Sequence, residues 1–346
     1  MFVVNVVSGK GGTGKTLISA TLAELLSKHG NRVAVVDLDI FVRGVTALLY
    51  FGQRENLNLR RQQLSSVADL VMDRNDGFDK PSSKGKPNSK RRQPIAILDY
   101  RGFSVCPAVA QIDEILNHED IMPNSFRLAK MAVDRVISGI KEKDDFDVVI
   151  LDSRAGFDEM IAASHSSADC SLLIEEDDQI SSITAANLMQ QLQSVKAGTQ
   201  AYRVVNKWKG ATFSDTKHIG NVPFDADVVA SYGNTEFFDE IVKSTFEPAI
   251  VDIWNRLCEK EGRNFFIKSR RISPLPATFI EQRTLNFATK ERFFVVYGVI
   301  LSLLGFSMVI GGREAFLRLI NDPISTVGFM SSIIGILFIA FSLARR

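Results

Sequence analysis

The sequence predicts an α/β fold: a mostly parallel central sheet flanked by helices, with two membrane-spanning helices near the C-terminal end of the 346 residues. Three observations carry that reading. First, the run FVVNVVSGKGGTGKT (Phe2 to Thr16) passes from an apolar strand pattern through a glycine-rich turn into a helical pattern. Second, further apolar runs end in carboxylates, RVAVVD at Arg32 to Asp37 and FDVVILD at Phe146 to Asp152, and alternate with helical segments, as β–α units of a parallel sheet do. Third, Phe293 to Gly312 and Pro323 to Leu343 contain no charged residue, and each has about the length a bilayer-crossing helix needs.

The first element carries chemistry. Phe2 to Val7 reads as a buried strand, and the helix from Thr16 stops at Gly30. Between them Gly9, Gly14, Lys15 and Thr16 fit G-x-x-x-x-G-K-[ST], the P-loop spacing whose backbone N–H groups converge on nucleotide phosphates. Gly11, Gly12, Thr13, Gly14, Lys15 and Thr16 are therefore the expected ATP-binding residues. Lys15 would reach the β- and γ-phosphates, and Thr16 would help to hold Mg²⁺. The second strand, Arg32 to Asp37, delivers Asp37 and Asp39 toward the same place.

The elements that follow build the rest of the layer. Gln62 to Met72 reads as a helix, and Arg74 to Pro94 as a flexible insertion whose Lys84, Lys86, Lys90, Arg91 and Arg92 form a basic cluster. Ile95 to Asp99 and Phe103 to Cys106 read as strands. Ser125 to Lys141 carries Phe126, Ala129, Ala132, Val133, Val136 and Ile140 at helical spacing, a face that covers a sheet. Phe146 to Asp152 reads as a Walker B strand, with Asp152 in the Mg²⁺ shell. Cys170 to Ile174, the acidic run Glu175 to Asp178, the helix Ile180 to Val195, the strand Tyr202 to Asn206 and a closing helix from Glu236 to Glu259 complete the series.

Composition narrows the class. The 41 Lys+Arg nearly cancel 40 Asp+Glu, so no global basic field points to nucleic acid, and only a local patch would serve such a partner. Cys106, Cys170 and Cys258 lack the spacing of a zinc site or a disulfide scaffold. The chain runs directly into its first strand, so no signal peptide is expected. Lys268, Arg270, Arg271, Arg283, Lys290 and Arg292 precede the first span, and Arg345 and Arg346 follow the second. The positive-inside rule then puts the large domain and the C-terminus on the cytoplasmic side of the cell's inner membrane.

With Lys10 inside KGGTGKT and VVDLDIFVRGVTALLYFG after it, the sequence resembles the deviant Walker A ATPases of the SIMIBI class, which include the MinD and ParA proteins. The resemblance covers roughly Met1 to Gly262. It implies that Lys10 reaches across an ATP-dependent homodimer to the other subunit's nucleotide. It also implies that Asp39, in switch I, positions the attacking water beside the metal. The catalytic set is then Lys10, Lys15 and Asp39, and the metal set Thr16, Asp39 and Asp152. SRAG, Ser153 to Gly156, is similar to switch II, with Arg154 where a proline commonly stands. VVNK is similar to the segment whose asparagine, here Asn206, recognises adenine.

The expected organisation is an ATPase domain over 1–262, a juxtamembrane connector over 263–291 and a membrane hairpin over 292–346. The expected function is a membrane-anchored ATPase switch that recruits, positions or remodels an unidentified protein partner. Two readings of other classes stay open: a low-turnover nucleotide-binding scaffold, and an oligomeric membrane-perturbing effector. A tyrosine kinase is disfavoured, because only 5 Tyr occur and none clusters near the C-terminus.

Overall fold

The computed structural model describes residues 1–52, 58–78, 93–116, 123–196, 198–210, 216–231 and 237–268. The chain divides into two units, Met1–Arg270 and Arg271–Arg346. Both expected membrane spans, the charged flanks from Arg270 onward and most of the basic insertion lie outside the described residues. Among the described residues no helix is long and apolar enough to cross a membrane.

Eight strands form one sheet: β1 (Phe2–Ser8), β2 (Val33–Asp37), β3 (Leu98–Tyr100), β4 (Phe103–Cys106), β5 (Val148–Ala155), β6 (Cys170–Glu176), β7 (Gln200–Trp208) and β8 (His218–Pro223). Their order is β3-β4-β2-β5-β1-β6-β7-β8. Every pairing is parallel except the β3–β4 hairpin at the edge. The helices are α1 (Lys15–Lys28), α2 (Gly44–Gly52), α3 (Val67–Phe78), α4 (Phe126–Lys143), α5 (Glu159–Ser167), α6 (Gln179–Val195), α7 (Ala226–Ser231), α8 (Phe237–Lys243) and α9 (Phe246–Glu261).

The central strands are apolar along their length because both faces are covered. Phe2, Val4 and Val6 of β1 pack with Leu22 and Leu26 of α1 and Trp254 of α9, whereas Val3 packs with Val133 and Val136 of α4. A third cluster joins Val7 to Leu188 and Leu192 of α6. Since the strands run parallel, the connections after β1, β2, β5 and β6 all emerge at one edge of the sheet, which is where such folds bind ligands.

Two of the expected helices differ from the sequence expectation. α3 begins at Val67 rather than Gln62 because Ser66 and Asp69 cap it reciprocally: the Ser66 N–H donates to Asp69 Oδ2 at 2.9 Å, and the Asp69 N–H to Ser66 Oγ at 3.2 Å. The same helix continues through Phe78, so Arg74 to Phe78 are helical rather than part of a loop. The closing helix is broken into α8 and α9. Ser244 Oγ donates to Ile241 O at 2.6 Å and accepts from the Phe246 N–H at 3.1 Å, ending one helix and starting the next. Pro248 falls in the first turn of α9, where its missing N–H costs nothing.

Candidate functional site

β1 ends at Ser8, and the loop Gly9 to Gly14 turns the chain into α1. Two of its residues need the left-handed backbone that glycine adopts freely, Gly12 at φ 78° and Gly14 at φ 89°. A Cβ on Gly14 would also lie 2.3 Å from Asn206 Nδ2, and one on Gly9 would lie 2.6 Å from the Thr184 backbone. The loop is thus built against β7 and α6, and its glycines are required by close approach.

Lys15 is buried at the start of α1, and its Nζ donates to Ser8 Oγ at 3.0 Å. Burial lowers its pKa from the ordinary lysine value, opposed by the charges of Asp152 and Asp39. Thr16 Oγ1 donates to Asp152 Oδ2 at 2.8 Å, and Ser19 Oγ donates to Oδ1 at 2.9 Å. Asp152 reaches Thr16 because β5 lies beside β1, with Val6 opposite Asp152. On its other side β5 places Asp152 opposite Asp37 of β2. Burial pushes Asp37 up to about 8, with the Asp152 charge adding to it, and pushes Asp152 up to about 6 against its hydrogen bond from Thr16. Asp37 is occupied structurally: its Oδ2 accepts the Thr46 N–H at 2.8 Å and Oγ1 at 2.7 Å, which seats α2. Asp39 is half-buried at the mouth, where its Oδ1 accepts the Val42 N–H at 3.1 Å.

These residues fit a nucleotide–Mg²⁺ group. A buried ammonium and a glycine loop suit phosphates, and a threonine hydroxyl paired with a buried carboxylate is an all-oxygen donor set suited to a hard cation. A crowded carboxylate pair whose charged forms are disfavoured gains from a cation. The Thr13 hydroxyl, in a residue 1% exposed, has no hydrogen-bond partner among the described residues.

The remaining predicted residues are placed with more constraint than the sequence suggests. Asn206, 2% exposed, donates from Nδ2 to Thr13 O at 2.7 Å and so props the loop from behind. Lys10 folds onto its own protomer, with Nζ 2.8 Å from Glu176 Oε2 and 2.8 Å from Asp178 Oδ2. Arg154 forms an ion pair with Asp158 at 3.2 Å and lies over the Phe41 ring at 5.9 Å. Sequence reasoning missed Ser8, Ser19 and Thr46, whose roles depend on which strands become neighbours. The acidic run was visible, but its partners Lys10 and Lys207 were not matched to it.

The family model for the CobQ/CobB/MinD/ParA nucleotide binding domain matches residues 4–219. An ATP-binding protein of Methanocaldococcus jannaschii is 27% identical over 214 residues, covering 62% of this chain and 66% of its own length. The septum site-determining protein MinD of Bacillus subtilis is 26% identical over 301 residues, covering 84% of this chain and 96% of its own. Among solved structures, the MinC:MinD cell division complex of Aquifex aeolicus matches with a TM-score of 0.52 at 23% identity, over 78% of this chain and 99% of that one. MinD of Pyrococcus horikoshii, complexed with Mg-ADP, matches with a TM-score of 0.51 at 17% identity, over 75% of this chain and 97% of that one. At these identities the solved structures share the fold.

Proposed function

Because the chain belongs to the CobQ/CobB/MinD/ParA nucleotide-binding domain family, we propose that it binds Mg–ATP, pairs with a second copy through it, and hydrolyses it as a switch at a membrane face. The observation that carries this reading is the seating of Lys15 and of the Thr16–Asp152 pair beneath one glycine loop. Lys15 and the backbone N–H groups of residues 11–16 hold the phosphates, and the dipole of α1 adds positive charge at its first turn. Thr16, Asp152 and Asp39 hold Mg²⁺, which when bound neutralises charge on the phosphoryl oxygens. Asp39, at the mouth, orients the attacking water, and Lys10 offsets developing negative charge from the paired copy. Adenine selection, which the resemblance gives to Asn206, is no part of this mechanism, because that side chain is buried behind the loop and its amide donates to Thr13 O.

Pairing is supported by apolar side chains exposed near the sheet edge that carries the loop: Val42 at 75% and Phe157 at 40% on connections, and Ile180 at 70% in the first turn of α6. Membrane anchoring is supported by the two charge-free stretches after residue 292 and their basic flanks. Spanning helices keep the chain in the bilayer whatever nucleotide is bound, so the switch acts through cytoplasmic geometry rather than through release. Hydrolysis by the full chain in detergent micelles tests the reading. Wild type turns over ATP, Asp39→Ala retains binding but loses about 10²–10³-fold in rate, and Lys15→Ala loses both. An Asp39→Ala rate equal to wild type would remove Asp39 from the chemistry.

A further inference from the structure

Strand order brings together two stretches that are far apart in the chain. β2 and β5 lie side by side with Asp37 opposite Asp152, so the residues beyond those two carboxylates emerge next to one another. Asp39 stands on the first stretch. Its N–H donates to Asp37 Oδ1 at 3.1 Å, and its carbonyl accepts the Arg43 N–H at 2.8 Å. Arg43, with a left-handed φ of 61°, ties this loop to the connection after β4, on the side of β2 away from β5: Nε donates to Ile40 O at 2.9 Å and Nη1 to Ile112 O at 2.7 Å. The side toward β5 is held differently. Arg154 places its guanidinium 5.9 Å from the centre of the Phe41 ring and pairs through Nη1 with Asp158 Oδ2 at 3.2 Å. Asp158 is itself fixed as the N-cap of α5, because its Oδ1 accepts the Ile161 N–H at 2.9 Å. Its Oδ2 is buried and has no hydrogen-bond partner among the described residues, so the guanidinium supplies the charge which that oxygen faces.

We propose that Arg154 and Phe41 are positioning residues for Asp39: the guanidinium, anchored on the cap of α5, rests over the ring and so fixes the loop that carries Asp39 relative to Asp152. This rests on the reading above, in which Asp39 orients the attacking water, and names what sets its orientation. Asp39 precedes Phe41 by two residues, and its Oδ1 accepts the Val42 N–H at 3.1 Å, so a Phe41 that shifts carries the carboxylate with it. A group that orients a reactant has to hold its place to within about 0.5 Å. Losing the contact therefore shows in the rate of the chemical step rather than in nucleotide binding. The Arg154 side chain is 31% exposed, so the attraction between cation and ring is only partly desolvated and the effect is modest.

The test is a double-mutant cycle on ATP hydrolysis by the full chain in detergent micelles, with Arg154→Ala, Phe41→Leu and the two combined. Each single variant is expected to lower kcat roughly two- to fivefold and leave KM for Mg–ATP unchanged. The combined variant is expected to lose no more than the larger single loss, because either change alone removes the same contact. Phe41→Tyr keeps a ring beneath the guanidinium and is expected to restore kcat. Asparagine caps a helix as well as aspartate does, so Asp158→Asn removes the anchoring charge, keeps the cap, and is expected to lower kcat within the same range. Losses that multiply in the combined variant would mean that Arg154 acts independently of Phe41, as a direct phosphate contact would, and would overturn the inference. A raised KM with kcat unchanged, or wild-type kinetics in both single variants, would overturn it too. A wild-type chain without turnover, or an Asp39→Ala rate equal to wild type, would overturn the functional reading first, and this inference with it.

Discussion

Gly14 is where sequence and structure constrain each other most closely. Its φ of 89° excludes a side chain by strain, and the Asn206 amide excludes one by contact. Gly14→Ala is expected to weaken Mg–ATP binding by at least about tenfold, equivalent to ~1.4 kcal/mol, as read by calorimetry. Adding Asn206→Ala will not restore binding, because the backbone strain remains after the contact is gone. Full restoration would mean that contact alone matters. Lys15, Thr16 and Asp152 were legible from the sequence because a local spacing and an apolar run ending in a carboxylate announce them. Asn206 against Thr13 and Lys10 against Asp178 were not, since those partners are 193 and 168 residues apart in the chain. Which residue meets a loop from behind is decided by strand order, and one sequence does not state strand order.

Among the elements, α5 carries a titration that bears on stability. His165 is buried, its Nδ1 lies 2.8 Å from Ser171 Oγ, and burial with the nearby Lys196 charge holds its pKa down to about 4. The unfolded chain binds that proton below about 6.5, so between pH 6.5 and 4 it holds more protons than the folded chain does. Stability from this group is complete above 6.5 and is lost as pH falls through that window. Urea midpoints measured from pH 7 to 4 should show that acid limb in wild type and a shallower one in His165→Gln. An unaltered limb would assign it to other groups. Helix starts were legible where a cap stood in the sequence, as at Ser125, whose Oγ accepts the Leu128 N–H. They were misplaced where apolar spacing continued past the cap, as before Val67, and where Ser244 breaks a pattern that reads as one helix.

On the scale of the whole molecule, a parallel sheet gathers four loops at one edge. The family match ends at residue 219, and the elements beyond it, α7 to α9, close the sheet's first face around Trp254. The membrane part rests on composition, so its test is physical: the full chain should stay in the membrane pellet after an alkaline wash and leave it only with detergent. Recovery in the wash would place it on the surface instead of across the bilayer. The central claim is that the glycine loop holds a nucleotide through Lys15. Calorimetric titration of Mg–ATP into the full chain, wild type beside Lys15→Ala, tests it most directly. The account predicts saturable binding by wild type at micromolar concentrations and none by the variant, whereas equal binding by both, or none by wild type at millimolar Mg–ATP, would contradict it.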